Sequence, residues 1–161
     1  MRRRGINLDL SIKYLIQEGL YESGQSDEIR QWIRKGDHDL GTAKLTYLHI
    51  PEYLDTVTFH CQQAVEKYLK AYLIFQSSIF RFSHDLICLL DLITLKDSDF
   101  ESYYDSLSEL QGYAVGVRYP NETIYLSNEK VEKAMVTAKN VSEFVTRRIK
   151  ITVDYNDILD K

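Results

Sequence analysis

The stretch of residues 58–75, TFHCQQAVEKYLKAYLIF, constrains the fold of this chain more than any other, because it has the length and periodicity of one long helix. At about 100° per residue, its apolar side chains fall on one broad face. We therefore expect this face to lie in the core of the protein. The predicted core face comprises Val57, Cys61, Ala64, Val65, Tyr68, Leu69, Tyr72 and Leu73.

Polar side chains form a second line along the same helix. Four of them, at steps of three, four and three residues, are His60, Gln63, Lys67 and Lys70, which we call the polar row. Residues at these spacings are neighbours on a helix surface. One imidazole, one amide and two ammonium groups in a row suit an anionic or hydrogen-bonding partner, whereas a solvated face more often alternates Glu and Lys.

The polar row also has a structural interpretation. A histidine such as His60, at the border of an apolar face, is often a satisfied interior side chain rather than a ligand-binding group. Lys67 is expected near Asp39 and Glu66, and an ion pair with either carboxylate would account for it. Both interpretations remain open from the sequence.

Three further residues have features of a binding site. His84 follows Ser83, the predicted N-cap of the next helix, and helix starts attract anions through their free amide groups and dipole. Arg118 and Tyr119 lie in a predicted loop, where Arg118 can bind a phosphate or carboxylate through two parallel hydrogen bonds. A salt bridge to a helix carboxylate is the alternative role for Arg118. If both segments face the polar row, all these groups surround one polar cleft.

The sequence pattern predicts helices joined by short connections along the whole chain. Only two prolines and seven glycines occur among 161 residues, and neither a βαβ alternation nor a fixed-period repeat is present. The pattern predicts an all-α, up-and-down helical bundle of five to six helices around four long ones. The predicted helices cover residues 6–20, 27–49, 51–77, 83–98, 100–115 and 127–150, with an irregular loop at 117–126.

Local signals set the predicted helix boundaries. Gly19 and Gly24 are expected to separate the first two helices, Pro51 is placed to open the third, and Ser83 and Ser127 are predicted N-caps. Inside the second helix, a glycine at position 36 costs about 1 kcal/mol relative to alanine. Close packing against another helix would justify that glycine. These boundaries divide the chain into an N-terminal helical extension (1–26), a bundle (27–150) and a C-terminal tail (151–161).

Composition limits the class of protein. With 44% apolar and 27% charged residues, the chain is typical of one globular domain. A net charge of −4 argues against a broad, sequence-independent nucleic-acid surface.

No apolar run approaches the roughly 20 residues of a membrane span, and the N-terminus lacks the apolar middle of a signal peptide, so we expect a cytoplasmic protein without membrane contact. Twelve tyrosines and six phenylalanines predict an aromatic surface shared with a second copy.

No enzyme motif is present in the sequence. It contains no glycine-rich phosphate loop, no HExxH and no nucleophile elbow, so no catalytic residue and no cofactor is predicted. Cys61 and Cys88 fall in different predicted helices, where small core residues are expected rather than metal ligands. Cleavage of RNA by imidazole and guanidinium groups remains chemically open.

The segment HCQQAVEKYLKAYL resembles the second-helix signature of the HEPN domain family. SHDL at 83–86 and RYP at 118–120 match the family in the expected order, and Trp32 with Asp39-Leu40 and Ala43 matches its first helix. The resemblance covers about residues 28–150. It implies an all-helical bundle, usually a homodimer, found in prokaryotes alone or beside a small nucleotidyltransferase and proposed to bind or present a nucleotide.

The resemblance also bears on catalysis. Ribonuclease toxins of the family carry an arginine followed by a histidine after four to six residues, and this chain has no such pair. We therefore predict a non-catalytic module that binds a nucleotide or another phosphate-bearing ligand. The alternatives are an RNA-cleaving toxin with a degenerate motif and a structural dimerisation module with the polar row at its interface. The predicted ligand-binding residues are His60, Gln63, Lys67, Lys70, His84, Arg118 and Tyr119.

Overall fold

The computed structural model describes residues 8–80, 83–116 and 125–151, and within these ranges the chain is a helical bundle without strands. This confirms the predicted all-α class. No helix in these ranges is long and apolar enough to cross a membrane. The helices are α1 (Leu8–His49), α2 (Leu54–Phe75), α3 (Leu86–Thr94), α4 (Tyr104–Gly116, preceded by a 3-10 helix at Ser98–Tyr103) and α5 (Asn128–Ile149).

Helix α1 corrects the prediction of two separate N-terminal helices. It runs for 42 residues and passes through Gly19 and Gly24 without a break. A glycine inside a helix costs only about 1 kcal/mol relative to alanine, whereas a second helix would need a new and costly nucleus. A Cβ at Gly24 would meet nothing within 4 Å, so no close packing requires a glycine at that position. The predicted start of the bundle at residue 27 therefore falls inside one helix.

Helix α2 is the central element of the bundle. It contacts α1, α3, α4 and α5, and all eight residues of its predicted core face are buried. In the described part of the chain, α1 contacts α2 and α5 but neither α3 nor α4. Helix α1 therefore lies away from α3 and α4, and it packs against α2 along a face that includes part of the polar row.

Three local predictions had different outcomes. Ser127 caps α5 as predicted, because its hydroxyl accepts a hydrogen bond from the backbone N–H of Lys130 at 3.3 Å. Pro51 does not open α2, which begins three residues later, and lies instead in the preceding turn. Cys61 is buried, but Cys88 is exposed on α3, so the prediction of a core position is wrong for Cys88.

Gly36 of α1 lies directly against the ring of Tyr68 on α2, which confirms the predicted close packing at this glycine. A Cβ at position 36 would lie 2.9 Å from Cε1 of Tyr68. The ring has little room to move, because Tyr68 is fully buried and its hydroxyl donates to Oδ1 of Asp37 at 2.6 Å. Burial, followed by this bond to a carboxylate, raises the pKa of the Tyr68 hydroxyl, which therefore stays a donor.

We expect Gly36→Ala to lower the free energy of unfolding by about 1–3 kcal/mol, because the added methyl group overpacks the contact with Tyr68. The matched control is Gly41→Ala in the same helix, where a Cβ would meet nothing within 4 Å. That variant should gain up to about 1 kcal/mol from helix propensity alone. Urea unfolding followed by circular dichroism measures both, and equal shifts in the same direction would contradict the packing argument.

Candidate functional site

Asp39 of α1 holds two members of the polar row. Its Oδ1 lies 2.8 Å from Nδ1 of His60, and its Oδ2 forms an ion pair with the ammonium group of Lys67. All three side chains are partly buried, with exposed fractions of 16%, 24% and 18% for Asp39, His60 and Lys67. The structural ion pair expected for Lys67 is therefore present, and Nε2 of His60 lies on the side of the ring away from Asp39.

Glu66 is a buried carboxylate at the other end of the polar row, with a side chain only 4% exposed. Its Oε1 accepts a hydrogen bond from Nζ of Lys70 at 2.7 Å and lies 3.1 Å from Nδ1 of His84. Its Oε2 lies 3.2 Å from the same nitrogen. These partners offset the cost of removing the Glu66 carboxylate from water. Glu66 thereby connects α2 with the segment that precedes α3.

Lys70 is not part of an open cationic surface. Its side chain is 1% exposed, and its ammonium group lies 5.3 Å from the ring centroid of Trp32 in α1. A cation over an aromatic face is stabilised by the ring quadrupole. Because Lys67 and Lys70 each have a carboxylate partner, the two ammonium charges of the polar row are balanced within the protein.

The start of α3 corrects the prediction that Ser83 is its N-cap. The cap is Asp85, whose carboxylate accepts two backbone N–H groups of the first turn at 2.9 and 3.0 Å. The bond from the N–H of Cys88 contributes most to holding the pKa of Asp85 below its ordinary value. A carboxylate can accept both amides and interacts favourably with the helix dipole, which explains why it replaces the serine hydroxyl. His84 therefore precedes the cap instead of lying in the first helical turn.

His84 is an exposed imidazole whose orientation is fixed by a buried carboxylate. Its side chain is 76% exposed, while that of its partner Glu66 is 4% exposed. The backbone carbonyl of His84 accepts a hydrogen bond from Nε2 of Gln62 at 3.1 Å. Gln62 in turn accepts one from Nε2 of Gln63 in the polar row at 2.8 Å. Main chain and side chain together hold the ring, with Nε2 on the side away from Glu66.

The structure brings the described part of the predicted site together. Asp39 and Glu66 hold four of its members, His60, Lys67, Lys70 and His84, and Gln63 joins them through Gln62. Arg118 and Tyr119, the two predicted loop residues, lie outside the described residues. Within the described ranges, no group of three or more His, Cys, Asp or Glu side chains is placed to hold a metal ion.

From the sequence, Asp39 and Glu66 are expected only as ion-pair partners, and neither Trp32 nor Gln62 is expected in the site. A signal for Glu66 exists, since a glutamate four residues before a lysine is the favoured orientation of a helical ion pair. No periodicity signal marks Trp32, because its contact with Lys70 depends on how α1 lies on α2.

We expect Glu66→Gln to lower the free energy of unfolding by about 3 kcal/mol, because it removes the carboxylate from the buried charge of Lys70. The control is Glu143→Gln, which breaks the exposed pair with Lys139 and should cost less than about 0.5 kcal/mol. Adding Lys70→Met to Glu66→Gln should recover part of the loss. Guanidinium unfolding measures all three, and equal effects of the two single substitutions would refute a buried ion pair.

Comparisons with known proteins agree on one family. The family model described as HEPN domain matches residues 29–149 of the chain. The crystal structure of ST0689, an archaeal HEPN homologue, superimposes with a TM-score of 0.57 at 22% sequence identity, covering 75% of this chain and 97% of that one. At this identity the likeness concerns the fold alone. No curated protein sequence matches the chain.

Proposed function

This chain belongs to the HEPN domain family, and from that premise we propose that it is a binding module for a nucleotide or another phosphate-bearing ligand. The proposed site is the part of the polar row that reaches solvent, His60, Gln63 and Lys67, together with His84. The observation that carries the proposal is the exposed His84 ring held by buried Glu66. Glu66 also has Lys70 as an ion-pair partner, and an imidazole that this carboxylate orients in advance loses little entropy when it binds a ligand.

The charge balance of the site supports a ligand of modest charge. Asp39 and Glu66 neutralise the two lysines of the polar row, and the whole chain carries a net charge of −4. A long polyanion would need many uncompensated cations, because such binding depends on neutralising phosphates. A nucleotide needs fewer: imidazole and amide groups at His60, Gln63 and His84 offer hydrogen bonds to its base, ribose or phosphate.

We expect ATP or GTP to bind with a dissociation constant below about 1 mM, and His84→Ala to weaken that binding roughly tenfold. Isothermal titration calorimetry with ATP, GTP and unphosphorylated adenosine makes the measurement. The matched control is His49→Ala, which removes an exposed histidine at the C-terminal end of α1 and should leave the affinity unchanged. Absence of binding at millimolar nucleotide, or equal effects of the two substitutions, would remove the proposal.

Cleavage of RNA is the second candidate function, and one contact favours it. A carboxylate on Nδ1, as Asp39 provides for His60, orients an imidazole to act as a general base at Nε2. The sequence lacks the arginine and histidine spacing of the toxin-type members, which places this candidate second. RNA left intact after incubation with the purified protein would exclude it.

We also propose that the protein forms a homodimer, and the exposed apolar residues near the α1–α2 connection support this. Apolar clusters on a protein surface mark interaction sites more often than isolated residues do. A small nucleotidyltransferase is the proposed second partner, from the family resemblance alone, and co-purification of the two proteins would test it. The exposed residues of this stretch are Leu45, Leu48, Ile50, Tyr53 and Phe59.

We expect Leu48→Glu to convert the dimer to a monomer, because the substitution places a charge in an apolar interface. Size-exclusion chromatography with light scattering should give the mass of two 18.9 kDa chains for the wild type and of one for the variant. The control is Leu95→Glu, at a side chain 81% exposed at the end of α3, which should remain dimeric. A monomeric wild type, or a dimeric Leu48→Glu variant, would contradict this assignment.

A further inference from the structure

A groove between α1 and α5 is lined by residues that the polar row does not use. Its volume is about 640 Å³, within the range of roughly 300–1,000 Å³ that small-molecule sites occupy. Leu40 and Gly41 of α1 and Met135 and Val136 of α5 form its apolar walls. The space beside Gly41 is open, since a Cβ there would meet nothing within 4 Å, and Val136 is 57% exposed. A ligand from solvent can therefore reach this apolar surface.

Two hydrogen bonds position α1 at the groove. Towards one end, the hydroxyl of Tyr47 donates to Oε1 of Glu132 and joins α1 to α5. Towards the other end, Asp37 accepts the hydroxyl of buried Tyr68 at 2.6 Å and joins α1 to α2. A site whose walls are already positioned loses less conformational entropy when it is filled.

Two cationic groups give the groove a chemical preference, whereas the carboxylate of Asp37 does not: its Oδ1 accepts a hydrogen bond from Tyr68 and its Oδ2 is buried away from solvent. Lys44 and Lys139 are exposed and also line the groove. Lys139 approaches Glu143 at 3.8 Å, but both side chains are exposed, so this pair does not compete strongly with an anion.

We propose that the α1–α5 groove binds a small amphipathic organic anion. Its apolar body would lie between Leu40 and Met135, and its anionic group would pair with Lys44 and Lys139. A neutral apolar compound would not use the two ammonium groups that line the groove. This proposal is independent of nucleotide binding at the polar row, because the two sites share no residue.

The probe for this site is 8-anilinonaphthalene-1-sulfonate, which combines apolar rings with a sulfonate. We expect saturable fluorescence enhancement with one probe per chain, and a loss of affinity of roughly tenfold or more in Gly41→Leu, because the added side chain fills the groove. The control is Gly112→Leu on α4, where a Cβ also meets nothing within 4 Å and probe affinity should stay unchanged. Both substitutions favour helix, so both variants should fold.

Two further measurements test separately the role of the anionic group and the position of the binding site. N-phenyl-1-naphthylamine, which lacks the sulfonate, should bind the wild type roughly tenfold more weakly, and the Lys44→Ala, Lys139→Ala double variant should bind both probes equally. Undiminished binding of the sulfonate to Gly41→Leu would overturn the site. Light scattering tests whether a second copy of the chain occupies the groove instead. A dimer that excludes the probe and dissociates in Gly41→Leu would identify that copy as the occupant and would overturn the small-molecule proposal. Calorimetry of ATP with Gly41→Leu should match the wild type.

Discussion

The buried ion pair between Glu66 and Lys70 is the interaction on which the rest of the site depends. Two charges on the central helix, with side chains 4% and 1% exposed, are tolerated only if each finds partners, because their desolvation costs several kcal/mol per ion. The partners come from different elements: Trp32 from α1, and His84 from the segment before α3. The pair therefore fixes where these elements lie relative to α2.

This requirement links stability to binding. A carboxylate buried to hold Lys70 also orients an imidazole that is 76% exposed, so the ring of His84 has a carboxylate partner although it lies outside any helix. Asp39 does the same for His60 from α1. The protein thus presents two oriented imidazole rings, one on α2 and one in the segment before α3, without using an exposed lysine. A groove between α1 and α5, lined by Gly41 among others, offers a second and chemically different surface.

Short-range patterns in the sequence predicted the fold well, and failures came where two local signals compete. The core face of α2, the close approach at Gly36 and the cap at Ser127 were correct, because each depends on residues within one or two turns or on size alone. Gly24 does not end the first helix, because one glycine costs less than a new helix start. Similarly, Asp85 replaces Ser83 as the cap, since a carboxylate accepts two amides.

The sequence by itself determined the helices, their buried faces and the identity of most polar groups along α2, since periodicity and residue chemistry are local properties. Only the tertiary structure decided which of those groups face solvent. The sequence pattern predicts that Lys70 and His84 are both accessible site residues. His84 is exposed as expected, but Lys70 is covered by Trp32. Their burial depends on contacts between residues far apart in the chain, and no pattern within one helix encodes the position of its neighbours.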